Sequence, residues 1–91
     1  MENKRPSKEM FNDLYNVILS LKNCDDCKIL FEDLCTNKEV EQMAIRIKAA
    51  RLLMEGKTFK EITEICDISS ATLSRVSKCV QYGEGYNKFL K

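Results

Sequence analysis

Ser69, Ser70, Ala71, Thr72, Ser74, Arg75 and Lys78 follow one another as a run of small, hydroxylated and basic side chains. This is the chemistry that fits a DNA major groove. Hydroxyls reach base edges and phosphates, an alanine methyl meets a thymine methyl, and Arg and Lys reach guanine or the backbone. The ordinary alternative is the solvated polar face of a helical hairpin, because short motifs recur without the function. Cys24 and Cys27 form a CxxC, the spacing of half a zinc site or of a redox pair. A metal would need two more ligands, which only Cys35 or a dimer mate's pair could supply, and the strand-helix context of reactive CxxC pairs is missing. Free thiols and no metal are expected. The chain has no histidine, which disfavours Ser/His and Cys/His hydrolases. Neither catalysis nor a cofactor is expected.

The elements that must position these residues read as helices. Met10, Phe11, Leu14, Val17, Ile18 and Leu21 recur at steps of three and four behind Ser7, a capping residue. Asn23 to Asp26 supplies turn and cap residues for a second helix carrying Cys27, Leu30, Phe31 and Leu34. Thr36 and Glu39 form a capping box for a third, the longest, running to about Glu55 with Gly56 as the left-handed residue past its end. One of its faces holds Val40, Met43, Ala44, Ile47, Ala50 and Met54; Ile45, Ala49 and Leu52 begin another. A helix apolar on two sides needs two packing partners.

Thr58 and Glu61 form a second capping box and open a short helix through Cys66. Asp67, Ile68 and Ser69 separate it from a helix over about Ser70 to Tyr82, and Tyr86 to Leu90 forms a last helical segment. Two helices joined by so short a turn have the helix-turn-helix shape, with Ile62, Cys66, Ile68, Leu73 and Val76 at the packing positions. Asp67 stands where glycine is usual and is expected in the left-handed region. Met43 and Met54 read as core, and Phe59, Tyr82 and Tyr86 as packing around the motif. Nothing alternates with period two for long, so the class is all-α.

The 91 residues suffice for one domain. Folding a chain of this size hides only about two-thirds of its surface, so a partner chain would help. Hydrophobic residues at 44% and charged residues at 32% suit a globular protein. No apolar run spans a bilayer, and the start MENKRPSKE lacks a signal peptide's apolar segment, so a cytoplasmic location without membrane contact is expected. There the five cysteines, an odd number, stay reduced. The net charge of +1 hides an asymmetry. Residues 1–45 carry six Lys/Arg against nine Asp/Glu, net −3, and residues 46–91 carry nine against five, net +4. An anionic partner belongs with the second half.

From Leu34 to Leu90 the chain resembles the tryptophan-repressor-like superfamily. The stretches TNKEVEQMAIRIKAARLLMEGKTFKEI and SSATLSRVSKCVQYGEGYNKFL are similar to its YerC/YecD branch. The resemblance implies an intertwined homodimer of about six helices, a single domain over residues 1–91, in which residues 1–35 serve dimerisation and residues 58–80 form the helix-turn-helix. It implies a transcriptional regulator, a repressor by its namesake, bound to a pseudo-palindromic duplex operator through Lys60, Ser69, Ser70, Ala71, Thr72, Ser74, Arg75 and Lys78. The family's effector pocket falls on Thr36, Arg46, Arg75 and Cys79. Here Val76 replaces a glycine beside the second arginine and Cys79 replaces a serine, which argues against tryptophan and leaves another small ligand open. The competing function is a dimeric protein-interaction module that kept the fold but not DNA binding.

Overall fold

The computed structural model describes residues 4–91, so the first three residues of the charged start lie outside the described residues. Its elements are helices in the order α1 (Lys8–Leu19), α2 (Cys24–Leu34), α3 (Asn37–Met54), α4 (Phe59–Ile65), α5 (Ser70–Tyr82) and α6 (Gly85–Phe89), with no strand among the described residues. The all-α class expected from the periodicity is the class observed. The chain divides into two compact units, the first ending at Thr36 and the second running from Asn37 to Lys91.

In the first unit the caps define the helices. Ser7 Oγ accepts the Met10 N–H at 3.3 Å and Asn23 Oδ1 accepts the Asp26 N–H at 2.8 Å. Asn23 is therefore the cap, and Cys24, Asp25 and Asp26 already belong to α2 rather than to a turn. Two carboxylates in the first turn suit the positive end of the helix dipole. Neither α1 nor α2 buries a single residue, although Met10, Phe11, Leu14, Val17, Ile18 and Ile29 are large and apolar.

The second unit owns the core: Ala49, Ala50, Leu52, Ile62, Cys66, Leu73 and Val76. α3 packs chiefly on α5 and also on α4, and α6 packs on α5. α3 ends in a Schellman motif. Lys57 N–H reaches Leu52 O and Gly56 N–H reaches Leu53 O, both at 3.0 Å, while Gly56 takes φ +89°. α3 sends Ala49 and Leu52 into the core with Ile45 packed beside them, whereas Ile47 and Ala44 remain exposed. The second of its two apolar faces is thus satisfied within the unit; on the first, Ala50 is buried, Val40, Met43 and Met54 are half-buried, and only Ala44 and Ile47 stand exposed.

Thr58 and Glu61 form the expected capping box, with Glu61 N–H donating to Thr58 Oγ1 at 3.2 Å and Thr58 N–H donating to Glu61 Oε1 at 3.1 Å. The turn after α4 departs from expectation. No described residue other than glycine has a positive φ, so Asp67 does not enter the left-handed region. Cys66 is extended at φ −117° and ψ 140°, and Ile68 N–H returns to Cys66 O at 3.0 Å, a three-residue γ-type turn about Asp67. This closure turns the chain without the strain that a left-handed aspartate would carry. Tyr82 also departs: at 84% exposure it stands in solvent, whereas Tyr86 packs on the core.

Candidate nucleic-acid interface

α5 begins at Ser70 because Ser69 caps it, its Oγ accepting the Thr72 N–H at 3.1 Å. The helical period then divides the sequence into two faces. Leu73 and Val76 are buried and Val80 packs against the core, while Ser70, Ala71, Ser74, Arg75 and Lys78 are exposed. Ser70, Ser74 and Lys78 lie four residues apart along one ridge, with Ala71 and Arg75 on the next. No acidic residue occurs anywhere in Ser70–Tyr82. The outward face is therefore cationic, narrow in side-chain size over its first turn, and rich in hydroxyls.

Not all the residues singled out by type are equally free. Ser69 Oγ also donates to Thr72 Oγ1 at 3.0 Å, so that pair is occupied in holding the helix start. Thr72 is half-buried. Ser70, Ser74, Arg75 and Lys78 carry no such internal bonds, and Lys60 stands exposed on α4. At the entry to α4, the Thr58 backbone N–H and hydroxyl both donate to Glu61, which holds its carboxyl below the ordinary value of 4.5, with Lys57 adding a favourable charge.

Behind the outward face, α5 helps wall a cavity of about 720 Å³ shared with α3 and α6. Arg46 of α3 and Arg75 of α5 both line it, with Val76, Cys79 and the aromatic rings of Tyr86 and Phe89. Neither guanidinium has a hydrogen-bond or ion-pair partner among the described residues. Of the four pocket residues read from the sequence, Arg46, Arg75 and Cys79 are brought together; Thr36 belongs to the first unit.

Neither the type nor the spacing of Tyr86 and Phe89 marks them as pocket residues. They arrive through α6, which is fastened by Asn87 Nδ2 donating to Val80 O at 2.7 Å and Gly83 O at 3.1 Å, and by Arg51 Nη1 donating to Leu90 O at 3.0 Å. The glycines flanking Glu84 were the available signal for such a fold-back. Gly83 permits it because a Cβ there would stand 2.7 Å from Cys79 O.

The geometry of a short turn, a shared core and a cationic second helix is matched by the family model described as Trp repressor protein, over residues 9–91. The chain belongs to the Trp repressor family. Membership places it among regulators rather than enzymes, and family and fold together point to a DNA-binding regulator. It is 44% identical over 80 residues to the uncharacterised protein YerC of Bacillus subtilis (strain 168), a match covering 88% of this chain and 76% of that protein. The Trp-repressor-like and YerC character expected from the sequence is thereby shown.

Two solved structures agree with the fold. A TrpR-like protein from Eubacterium eligens ATCC 27750 superimposes with a TM-score of 0.85 at 36% identity, covering 89% of this chain and 84% of that one. A candidate Trp repressor from Staphylococcus aureus gives 0.85 at 30% identity, covering 92% and 84%. All five cysteines are free, and among the described residues no three His, Cys, Asp or Glu side chains gather as a metal site. No helix among the described residues is long and apolar enough to cross a membrane.

Proposed function

We propose that this Trp repressor family member is a cytoplasmic, homodimeric regulator that binds a specific sequence of duplex DNA through α5. The carrying observation is the division of that helix: Leu73 and Val76 are fully buried, and the opposite face presents Ser70, Ala71, Ser74, Arg75 and Lys78 with no carboxylate. Such a helix offers donors, a methyl and two cations to a groove while its own packing is untouched. Ser69 and Thr72 hold the helix start at the groove, and Lys60 adds a phosphate contact from α4. As in other helix-turn-helix dimers, two copies of α5 about 34 Å apart would read two half-sites, giving a pseudo-palindrome.

The dimer reading is supported by the bare surfaces. Residues 1–35 carry α1 and α2, which bury nothing, and α3 leaves Ile47 and Ala44 uncovered. Apolar surface of that extent calls for a second copy, because the core of one chain is small. The cavity between Arg46, Arg75 and Cys79 fits a small anionic effector. Val76 fills part of its wall beside Arg75, which argues against an indole and hence against tryptophan.

Selection of bound duplexes from a random pool tests the reading. An enriched palindrome whose binding weakens steeply with salt supports it. A failure to enrich any sequence, with the protein folded and dimeric, would instead favour the protein-interaction module.

A further inference from the structure

Cys24 and Cys27 are first and fourth in α2, so they share the opening turn of one helix. They are the only pair among the five cysteines placed in this way: Cys35 caps the far end of α2, Cys66 is buried in the core, and Cys79 lies in the other unit. Cys24 is exposed and Cys27 is half-buried. We propose that the two form a reversible thiol–disulfide exchange site for a small, solvent-borne disulfide. This is independent of the DNA-binding reading.

The division of exposure assigns the roles. The Cys24 thiolate attacks one sulfur of the small disulfide, forming a mixed disulfide and expelling one thiolate, which takes up the proton Cys24 gave up. The Cys27 thiolate then attacks Cys24 Sγ, closing the intrahelical disulfide and expelling the second small thiolate, which is protonated in turn. The protein dithiol loses two electrons and the small disulfide gains them. Only Cys24 has to be reached from solvent; Cys27 has only to reach Cys24.

Closing the bond changes the helix. Residues three apart on a helix hold their Cβ atoms about 5–6 Å apart, and a disulfide needs about 3.8 Å. Cys24 must therefore rotate inward. It can do so because, as the first helical residue, its N–H makes no intrahelical bond and Asn23 before it is already extended at φ −158°. The movement falls on the Asn23 cap, where Asn23 Oδ1 holds the Asp26 N–H at 2.8 Å and Asn23 O holds the Cys27 N–H at 3.2 Å. Oxidation thus loosens the first turn of α2, and excess thiol restores it.

The test treats the full chain with oxidised glutathione, quenches with acid and maps each cysteine by mass spectrometry. The expected wild-type product has lost two hydrogens, joins Cys24 to Cys27, carries no glutathione and reverts with dithiothreitol. Cys27→Ser should instead keep one glutathionyl group on Cys24, because nothing resolves it, while Cys35→Ser should behave as wild type. Amide exchange at Asp26 and Cys27 should be several-fold faster in the oxidised protein than in the reduced one. A glutathionyl group persisting on wild-type Cys24, first reaction at Cys35 or Cys79, a disulfide between chains, or equal amide protection in both forms would overturn the proposal.

Discussion

Arg75→Ala and Lys78→Ala should separate reading of bases from holding of phosphates. Both side chains are exposed on α5, and neither makes a hydrogen bond or ion pair among the described residues. Removing either should leave stability within about 0.5 kcal/mol of wild type. Any larger loss of binding then reports contact rather than folding. If Arg75 reaches a base edge, its loss costs about 1–3 kcal/mol per subunit, or about 5- to 150-fold in affinity. A symmetric dimer carries the loss twice, so a full operator should suffer at least about 25-fold. Discrimination should flatten at one base position in each half-site. Lys78 on a phosphate releases about one counterion, so Lys78→Ala should weaken all duplexes alike and lower the log–log salt slope by about one per subunit. Fluorescence anisotropy on the selected duplex, on single-base variants and across salt concentrations measures all three quantities. Full affinity and unchanged specificity in both variants, with dimer intact, would refute this use of α5.

Four further outcomes test the packing beneath that surface. Leu73→Ala removes a fully buried side chain from a core of seven residues and should cost about 2–5 kcal/mol, read as a large fall in melting temperature by circular dichroism. Gly83→Ala places a Cβ 2.7 Å from Cys79 O and should cost about 1–3 kcal/mol as α6 shifts, visible as faster amide exchange at Lys88 and Leu90. Because the folded-state pKa of Glu61 is depressed, its capping bonds contribute fully above the unfolded value of 4.5 and are lost as pH falls through the lower folded value. The stability advantage of wild type over Glu61→Gln should therefore be constant near neutrality and shrink below about pH 4.5. Dilution should lower the melting temperature if α1, α2 and the exposed Ala44 and Ile47 of α3 are covered by a second copy, and a concentration-independent melt of a monomer would remove that reading.

The elements most legible in the sequence are those whose ends are fixed by local chemistry. α5 starts at Ser70 and ends at Tyr82 as the sequence suggests, because Ser69 caps it and Gly83 stops it. The helix-turn-helix packing set was equally readable, since Ile62, Cys66, Leu73 and Val76 obey the helical period and all are buried. CDDC has the composition of a turn, and only the Asn23 cap shows that those residues begin α2. Residue type alone points Asp67 to the left-handed region, whereas the extended Cys66 lets the chain close through a γ-type turn with negative φ. Tyr86 and Phe89 could not be placed from spacing at all. Their position depends on Asn87 and Arg51 reaching backbone carbonyls seven and thirty-nine residues away, and such pairings leave no periodic trace.

Arg75 occupies a junction that the two readings of α5 share. It is exposed on the helix proposed to meet a duplex, yet its side chain also lines the cavity with Arg46. The cavity and the outward face of α5 lie on different sides of Arg75, so a guanidinium turned fully into the cavity to bind an effector is drawn away from a base edge. An anion bound between Arg46 and Arg75 would therefore draw Arg75 toward the cavity and set the position it offers to DNA. The rigidity of Leu73 and Val76 beneath it means that the side chain, rather than the helix, would move. On this geometry effector and operator are coupled through one residue. Arg46→Ala should remove an effector's influence on binding while leaving effector-free affinity for the duplex unchanged, whereas a direct DNA role for Arg46 would lower that affinity as well.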